Sequence, residues 1–543
     1  MSAVETFESS PRLVLPAPAA KPASNENDGA SVSAKTWLAV VGSALGAFLA
    51  VLNIQVVNSA LADIQGAIGA GIDDGGWIST AYLISEIIVI PLSGWLSKVF
   101  STRRYLLVNT LLFLLFSAAC AHAENLGQMI VLRALQGFAG GVLIPMAFTI
   151  IITMLPRAKQ PIGMALFAVS AVFAPAIGPT IGGYLNENFG WQYIFYVNLA
   201  PGIVMLVMLW FSLEREPMQL SLLKGGDWLG VITMAIGLGS LQTVLEEGNK
   251  DDWFGSTFIT RLSVIAAISL TAFIAIELTV KKPLLHLRLL LRRNFGFATL
   301  ATMLLGMVLY GSVFVLSLYL SQMQGYNAEQ IGEVLAWVGL PQLLLIPLVP
   351  KLTKWIDTRL LIAGGLALFA ASNFMNIHLT DDVAGPELFL PNIVRAIGQA
   401  VTLAPLSAIA VAGIERQFAG SASAIFNMTR NLGGAIGIAL LQTVLTNREK
   451  FHSEIITSDV TLFDEATRQR LHDLTQYFLA HGVSDPATAW REAVVAIGRS
   501  VHQQASIMGY GDAFYLQGVI LVLALVCTFF MKKVLVEGGG GGH

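Results

Sequence analysis

A chain of 543 residues that is 55% hydrophobic and 12% charged, with a mean hydropathy of +0.67, has too few polar side chains to cover a globule of this size in water. Composition therefore places it in a bilayer. The formal net charge of −3 argues against a nucleic-acid partner, and Cys120 and Cys527 both fall in apolar runs, where buried packing residues are expected rather than a disulfide.

In chain order, residues 1–35 are rich in Ser, Pro, Ala and Asn and contain no apolar run, which reads as a disordered tail and not as a cleaved signal. Fourteen apolar stretches come after it, from 37–60 to 513–535, each close to the about 20 residues that a helix needs to cross hydrocarbon. Basic residues gather in alternate loops: Lys98, Arg103 and Arg104; Arg157 and Lys159; Lys281, Lys282, Arg288, Arg292 and Arg293; Lys351, Lys354 and Arg359; Lys532 and Lys533. The positive-inside rule makes those loops cytoplasmic, and with fourteen spans both termini lie on that side. The expected fold class is an all-α integral membrane protein with fourteen spans.

An internal repeat supports two halves. The loop after the second span, Pro91 to Arg103, lays over the loop after the tenth, Pro347 to Arg359, with Pro, Leu, Lys, Thr and Arg coinciding. The expected division is 36–215 for a first six-helix half, 216–282 for two inserted helices, and 283–536 for a second six-helix half. A Gly-rich tail, 537–543, closes the chain. A repeat of this kind predicts rocking of one half against the other, with the substrate path between them. The connection 446–512 is the largest polar segment. Glu465 to Leu479 and Ala487 to Gln504 alternate apolar and charged residues at helical spacing, so short amphipathic helices over the pore mouth are expected. Its histidines, His452, His472, His481 and His502, form no tight ligand pair, and no metal site is expected.

The fifth span contains Ala174-Pro-Ala-Ile-Gly178-Pro179-Thr-Ile-Gly182-Gly183. On a helix, Ala174, Gly178 and Gly182 stack at i, i+4 and i+8, with Pro175, Pro179 and Gly183 in the adjoining row. One face is nearly free of side chains, which lets neighbouring backbones approach closely in lipid. The fourth span carries Leu132-Arg133-Ala-Leu-Gln136-Gly137, in which Arg133, Gln136, Gly137, Gly140 and Gly141 form one polar, small-residue stripe suited to lining a cavity.

These two stretches resemble the antiporter motif and the fourth-helix arginine motif of the major facilitator superfamily. Further matches are Trp191 to Asn198, Gly248 to Phe254, Arg293 to Phe295, Gln324 to Tyr326 and Gly420 to Gly437. Together they are similar to the fourteen-spanner drug:proton antiporters of EmrB/QacA type, with the EmrB-like branch nearest. The resemblance implies a bacterial inner-membrane exporter of amphipathic toxic compounds that is driven by the proton gradient, without a cofactor and without enzyme activity. It also implies a periplasmic adaptor and a TolC-type outer-membrane channel as partners.

An ionisable group inside a span costs about 2.5 to 3.5 kcal/mol on insertion scales, so each one asks for a purpose. Relatives place an acid in the first span that is thought to pair with the fourth-span arginine; this sequence has Asn53 there. Glu86 in the second span lies at about the same depth. The expectation is that the proton-exchanging carboxylate has moved from position 53 to Glu86, facing Arg133, with a structural Glu86 to Arg133 pair as the alternative. Gln136, Gly137, Tyr82, Tyr310, Phe314, Arg395 and Gln399 are candidates for the substrate cavity; Arg395 and Gln399 form a weaker echo of the arginine motif in the twelfth span. One good acid with Arg133 and Arg395 nearby favours hydrophobic weak acids or neutral drugs as cargo. Export of one metabolite, such as a siderophore or an organic acid, is the competing reading.

Overall fold

The structure, a computed structural model, describes residues 32–71 and 74–533. The tail expected at 1–35 lies outside the described residues up to position 31, and Ala34 already begins a helix. The Gly-rich tail lies wholly outside them.

Apolar runs of sufficient length become fourteen candidate membrane spans, and the described residues contain helices and no strand. Spans 1 to 6 are Ala34–Ser59, Trp77–Phe100, Thr102–Cys120, Leu126–Met154, Arg157–Phe189 and Tyr193–Ser212. Spans 7 and 8 are Trp228–Glu247 and Thr257–Thr279. Spans 9 to 14 are Arg293–Gln322, Ala328–Trp355, Thr358–Met375, Phe389–Val411, Arg416–Asp459 and Pro486–Phe529. Side-chain caps set several starts: Asn125 accepts from the Gln128 amide at 3.0 Å, and Asn327 and Gln330 form a reciprocal capping box.

Span 5 stays helical through Pro175 and Pro179 and packs along both span 1 and span 10. Span 13 packs against span 9 of its own half and crosses to spans 2 and 4 of the other half. Span 7 packs on spans 2 and 13, with span 8 outside it, so the inserted pair flanks the seam between the halves. Spans 4 and 12 are each interrupted just after their arginine motif, between Gly140 and Leu143 and between Ala400 and Leu403.

The connection 446–512 differs from expectation. Span 13 continues as one 41-residue helix, Ala419–Asp459. A separate helix, Glu465–Ala480, comes next, and span 14 is one 44-residue helix, Pro486–Phe529. The segment expected as an independent helix at 487–504 is therefore the outer part of span 14. At 1.5 Å per residue these helices are about 60 Å long, twice the about 30 Å of hydrocarbon, and they project from the membrane. His452 is buried within this projection and hydrogen-bonded to Asp512 at 2.7 Å.

Candidate functional site

A cavity of about 950 Å³ lies between the halves. Its walls come from spans 1, 2, 7, 9, 10, 13 and 14, with Pro179 of span 5 touching it. Glu86 and Asn431 form its floor. Lys250, Glu449 and His502 stand at its mouth, on the side away from the basic loops.

The other end is shut. Gly94 of span 2 meets Gly420 of span 13 so closely that a Cβ built on Gly94 would fall 3.0 Å from the Gly420 carbonyl carbon. Ser423 Oγ donates to the Pro145 carbonyl at 2.6 Å, and the Phe148 and Phe426 rings stack with centroids 5.3 Å apart. Lys98 Nζ donates to the Gln417 carbonyl at 3.3 Å. The molecule is open on one side only.

The antiporter stretch does what small residues at four-residue spacing allow. A side chain at Gly178 would overlap Gln55, and one at Gly182 would overlap Ser59 and come 2.9 Å from the Val56 carbonyl oxygen, so both glycines hold span 1. Gly183, in the adjoining row, meets the Ala328 to Glu329 backbone of span 10, and Thr180 Oγ1 donates to the Gly332 carbonyl at 2.8 Å. Pro175 is buried with them. Span 5 thus joins the halves through bare backbone.

Arg133 is buried, and its guanidinium is well partnered. Nη1 donates to Asn53 Oδ1 and to Gln136 Oε1, each at 2.7 Å, Nε donates to the Ile78 carbonyl at 3.2 Å, and the group lies 4.3 Å over the Tyr82 ring. Asn53 therefore stands where a first-span acid would meet the arginine. Among the described residues no ion pair or hydrogen bond joins Glu86 to Arg133. The buried Glu86 carboxylate instead accepts from Asn431 Nδ2 at 3.1 Å, across the seam between the halves.

Tyr310 and Phe314 line the cavity, whereas Tyr82, Gln136, Gly137, Arg395 and Gln399 do not. This corrects their placement. Gly137 packs on the Tyr82 backbone, and Gly141 brings span 4 so near span 2 that a Cβ there would come 2.9 Å from Glu86 Cα. The polar stripe of span 4 is thus spent on helix packing and on Arg133. Arg395 is buried 5.8 Å from the Phe369 ring, and Gln399 accepts from Gln342 Nε2 at 2.7 Å, inside the second half.

Three groups escaped the sequence reading. Arg430 is fully buried, and its Nε and Nη1 have no hydrogen-bond partner among the described residues. Asn431 beside it holds Glu86. Glu247, at the end of span 7, is buried, accepts from Thr80 Oγ1 at 3.0 Å, and pairs with Lys250 at 3.1 Å. The first was visible as a lone charge in the apolar stretch 423–445, the same signal that singled out Arg133.

A deep cavity between two helical halves, shut at one end, is the geometry of a carrier. The family model described as Major Facilitator Superfamily matches residues 43–438. The chain is 32% identical over 501 residues to the colistin resistance protein EmrB of Acinetobacter baumannii, a match covering 92% of this chain and 97% of that one. It is 30% identical over 511 residues to the fatty acid resistance protein FarB of Neisseria gonorrhoeae, covering 94% and 98%. Among solved structures, the proton:xylose symporter XylE superposes with a TM-score of 0.56 at 14% identity, covering 91% of this chain and 95% of that one, a likeness of fold alone. The chain belongs to the Major Facilitator Superfamily, in its EmrB-like branch.

Proposed function

We propose that this membrane protein is a proton-coupled antiporter that exports amphipathic toxic compounds by alternating access. The observation that carries the reading is the buried Glu86 carboxylate at the floor of the cavity, in contact with both halves. A carboxylate is the group that can hold a proton there, and its placement lets substrate and proton compete for one site. The similarity to resistance proteins supports export. The basic loops, read as cytoplasmic, make the open side periplasmic and put the chain in a bacterial inner membrane.

The cavity changes the argument on substrate charge. Arg133 and Arg395 are absent from its walls, while Glu86, Glu246, Glu247 and Glu449 line it with Lys250 and His502 as the basic residues. Neutral and cationic amphiphiles fit that wall better than weak acids, and Tyr310 and Phe314 offer apolar contact. A hydrophobic acid remains the second reading, on the strength of the similarity to FarB.

The test is a reconstituted vesicle with an imposed pH gradient and a panel of neutral, cationic and acidic amphiphiles. Substrate-driven proton flux supports antiport; none with any class would leave a scaffold or receptor. An adaptor and an outer-membrane channel complete the proposed pump, with the projecting helices as the docking surface. Removing the tip, residues 460–485, should abolish resistance in cells while vesicle transport persists, and equal loss in both would assign the tip to the transporter itself.

A further inference from the structure

Arg430 is a buried guanidinium in want of an anion. Nη2 donates to the Asn431 amide oxygen at a long 3.5 Å, the Phe167 ring lies 5.6 Å away and the Tyr310 hydroxyl stands beside the group, while Nε and Nη1 have no hydrogen-bond partner among the described residues. No ion pair to it occurs among the described residues, and a buried charge without a partner is expensive. The same Asn431 donates to Glu86 at 3.1 Å, so a single amide stands between the guanidinium and the carboxylate.

The other charged or titratable groups around Glu86 are already committed or lie farther off. Arg133 on span 4 is engaged by Asn53, Gln136 and Ile78. Tyr82 on its own helix covers Arg133, and Glu247 of span 7 holds Thr80 and Lys250. Tyr310 of span 9 stands beside Arg430 and lines the cavity, and it carries no acceptor charge to pair with the guanidinium. Arg430 alone combines proximity with unused donors.

We propose that Arg430 takes the charge of Glu86 when the proton leaves, and that this ion pair, joining span 2 to span 13, locks the empty transporter. The inference rests on reading Glu86 as the proton site. A protonated Glu86 is neutral, accepts from Asn431 as seen here, and leaves the halves free to rock. When its O–H bond gives the proton to water on the basic side, the carboxylate keeps the electron pair and Arg430 replaces the amide. The contact sits on span 13 just beyond Ser423 and Phe426, which close the basic end, so it acts on the element that must move. Substrate releases the lock by offering Glu86 another partner. Without a lock, a deprotonated empty carrier would return and each cycle would leak one proton.

The test uses the full-length protein in liposomes with an entrapped pH dye, an imposed pH gradient and no substrate. Wild type should be tight. Arg430→Gln should raise proton influx about tenfold, which corresponds to about 1.4 kcal/mol off the barrier to empty return. Arg430→Lys, which keeps the charge, should stay near wild type, and Glu86→Gln on top of Arg430→Gln should restore tightness. Should Arg430→Gln not reach the membrane, Asn431→Asp gives Arg430 a competing carboxylate and should leak in the same way. Tight vesicles with both Arg430→Gln and Asn431→Asp, or a leak that survives Glu86→Gln, would overturn the lock. Full substrate-driven proton flux in Glu86→Gln alone would instead overturn the reading of Glu86 beneath it.

Discussion

Gly94→Leu tests whether the basic side must close for the cavity to open. A Cβ at Gly94 comes 3.0 Å from the Gly420 carbonyl carbon and 3.1 Å from its Cα and oxygen, whereas carbon atoms settle at about 3.5 to 4.0 Å. Even alanine needs the two backbones to part by about 0.5 to 1 Å. Leucine needs more. Overpacking a close interface costs about 1 to 3 kcal/mol, and only the conformation containing the Gly94 to Gly420 contact suffers it. A bias of that size moves a two-state equilibrium by about 5- to 150-fold. The assay is labelling of Ser317→Cys, on the cavity wall, by an impermeant maleimide added to the open side of membrane vesicles. Cys120 and Cys527 are both buried and contribute little background. Labelling should slow in Gly94→Leu and less so in Gly94→Ala. Wild-type labelling in a Gly94→Leu protein that reaches the membrane would refute the argument that this contact belongs to one conformation.

Asn53→Asp in a Glu86→Gln background should recover part of the pH-driven efflux, because position 53 already lies 2.7 Å from Arg133 Nη1; no recovery would mean that an acid there cannot exchange its proton. Gly182→Leu places side-chain atoms on Ser59 and the Val56 carbonyl, a clash worth about 1 to 3 kcal/mol, and should reduce transport more than membrane insertion, which transport rates normalised to membrane content would show. Outside the membrane, hydrogen bonds at helix N-termini hold the Asp464 and Asp485 carboxyls below the usual carboxylate range, through the Thr467 amide and the Thr488 hydroxyl first. Folded values that are lowered make these caps stabilising above the ordinary carboxylate range, with the contribution lost as pH falls through the lowered values. Hydrogen-exchange protection in the first turns of 465–480 and 486–508, corrected for the intrinsic pH dependence of exchange, should hold above the ordinary carboxylate range and fall as pH drops from there through the lowered values; protection independent of pH across that window would separate the caps from the helices' stability.

Fourteen spans were legible because hydrocarbon thickness imposes a length and an absence of charge that any neighbour must respect. The close-packing role of Gly178, Gly182 and Gly183 was legible for a similar reason: bare backbone at four-residue spacing has few uses other than contact. Helix rotation was not legible. Spacing groups Arg133, Gln136 and Gly137 on one face, but it cannot say whether that face meets water or span 2, and here Gly137 and Gly141 press on Tyr82 and Glu86. Arg395 and Gln399 failed as cavity residues for the same cause. The continuity of span 14 could have been read from the sequence, since Asp485 and Pro486 start a helix and no proline interrupts residues 487–529. Arg430 was hidden by company: it sits in the stretch Gly420 to Gly437, taken only as a match of sequence, beside Gly433 and Gly437, which bring span 13 onto the Met303 and Met307 backbone.

The uninterrupted helix Ala419–Asp459 has a mechanical consequence. From Asn431 at the cavity floor to Asp459 at its outer end is about 42 Å along the axis at 1.5 Å per residue, and the helix is unbroken over that length. A rotation of about 10° about the floor, of the order seen in rigid-body transitions, would swing the outer end by about 7 Å. The projecting end is thus a lever that turns sub-ångström changes beside Glu86 into a displacement large enough to measure. A pair of fluorescent reporters, one near Phe463 at the tip and one on the first half, would follow the transport cycle in single molecules without touching the cavity.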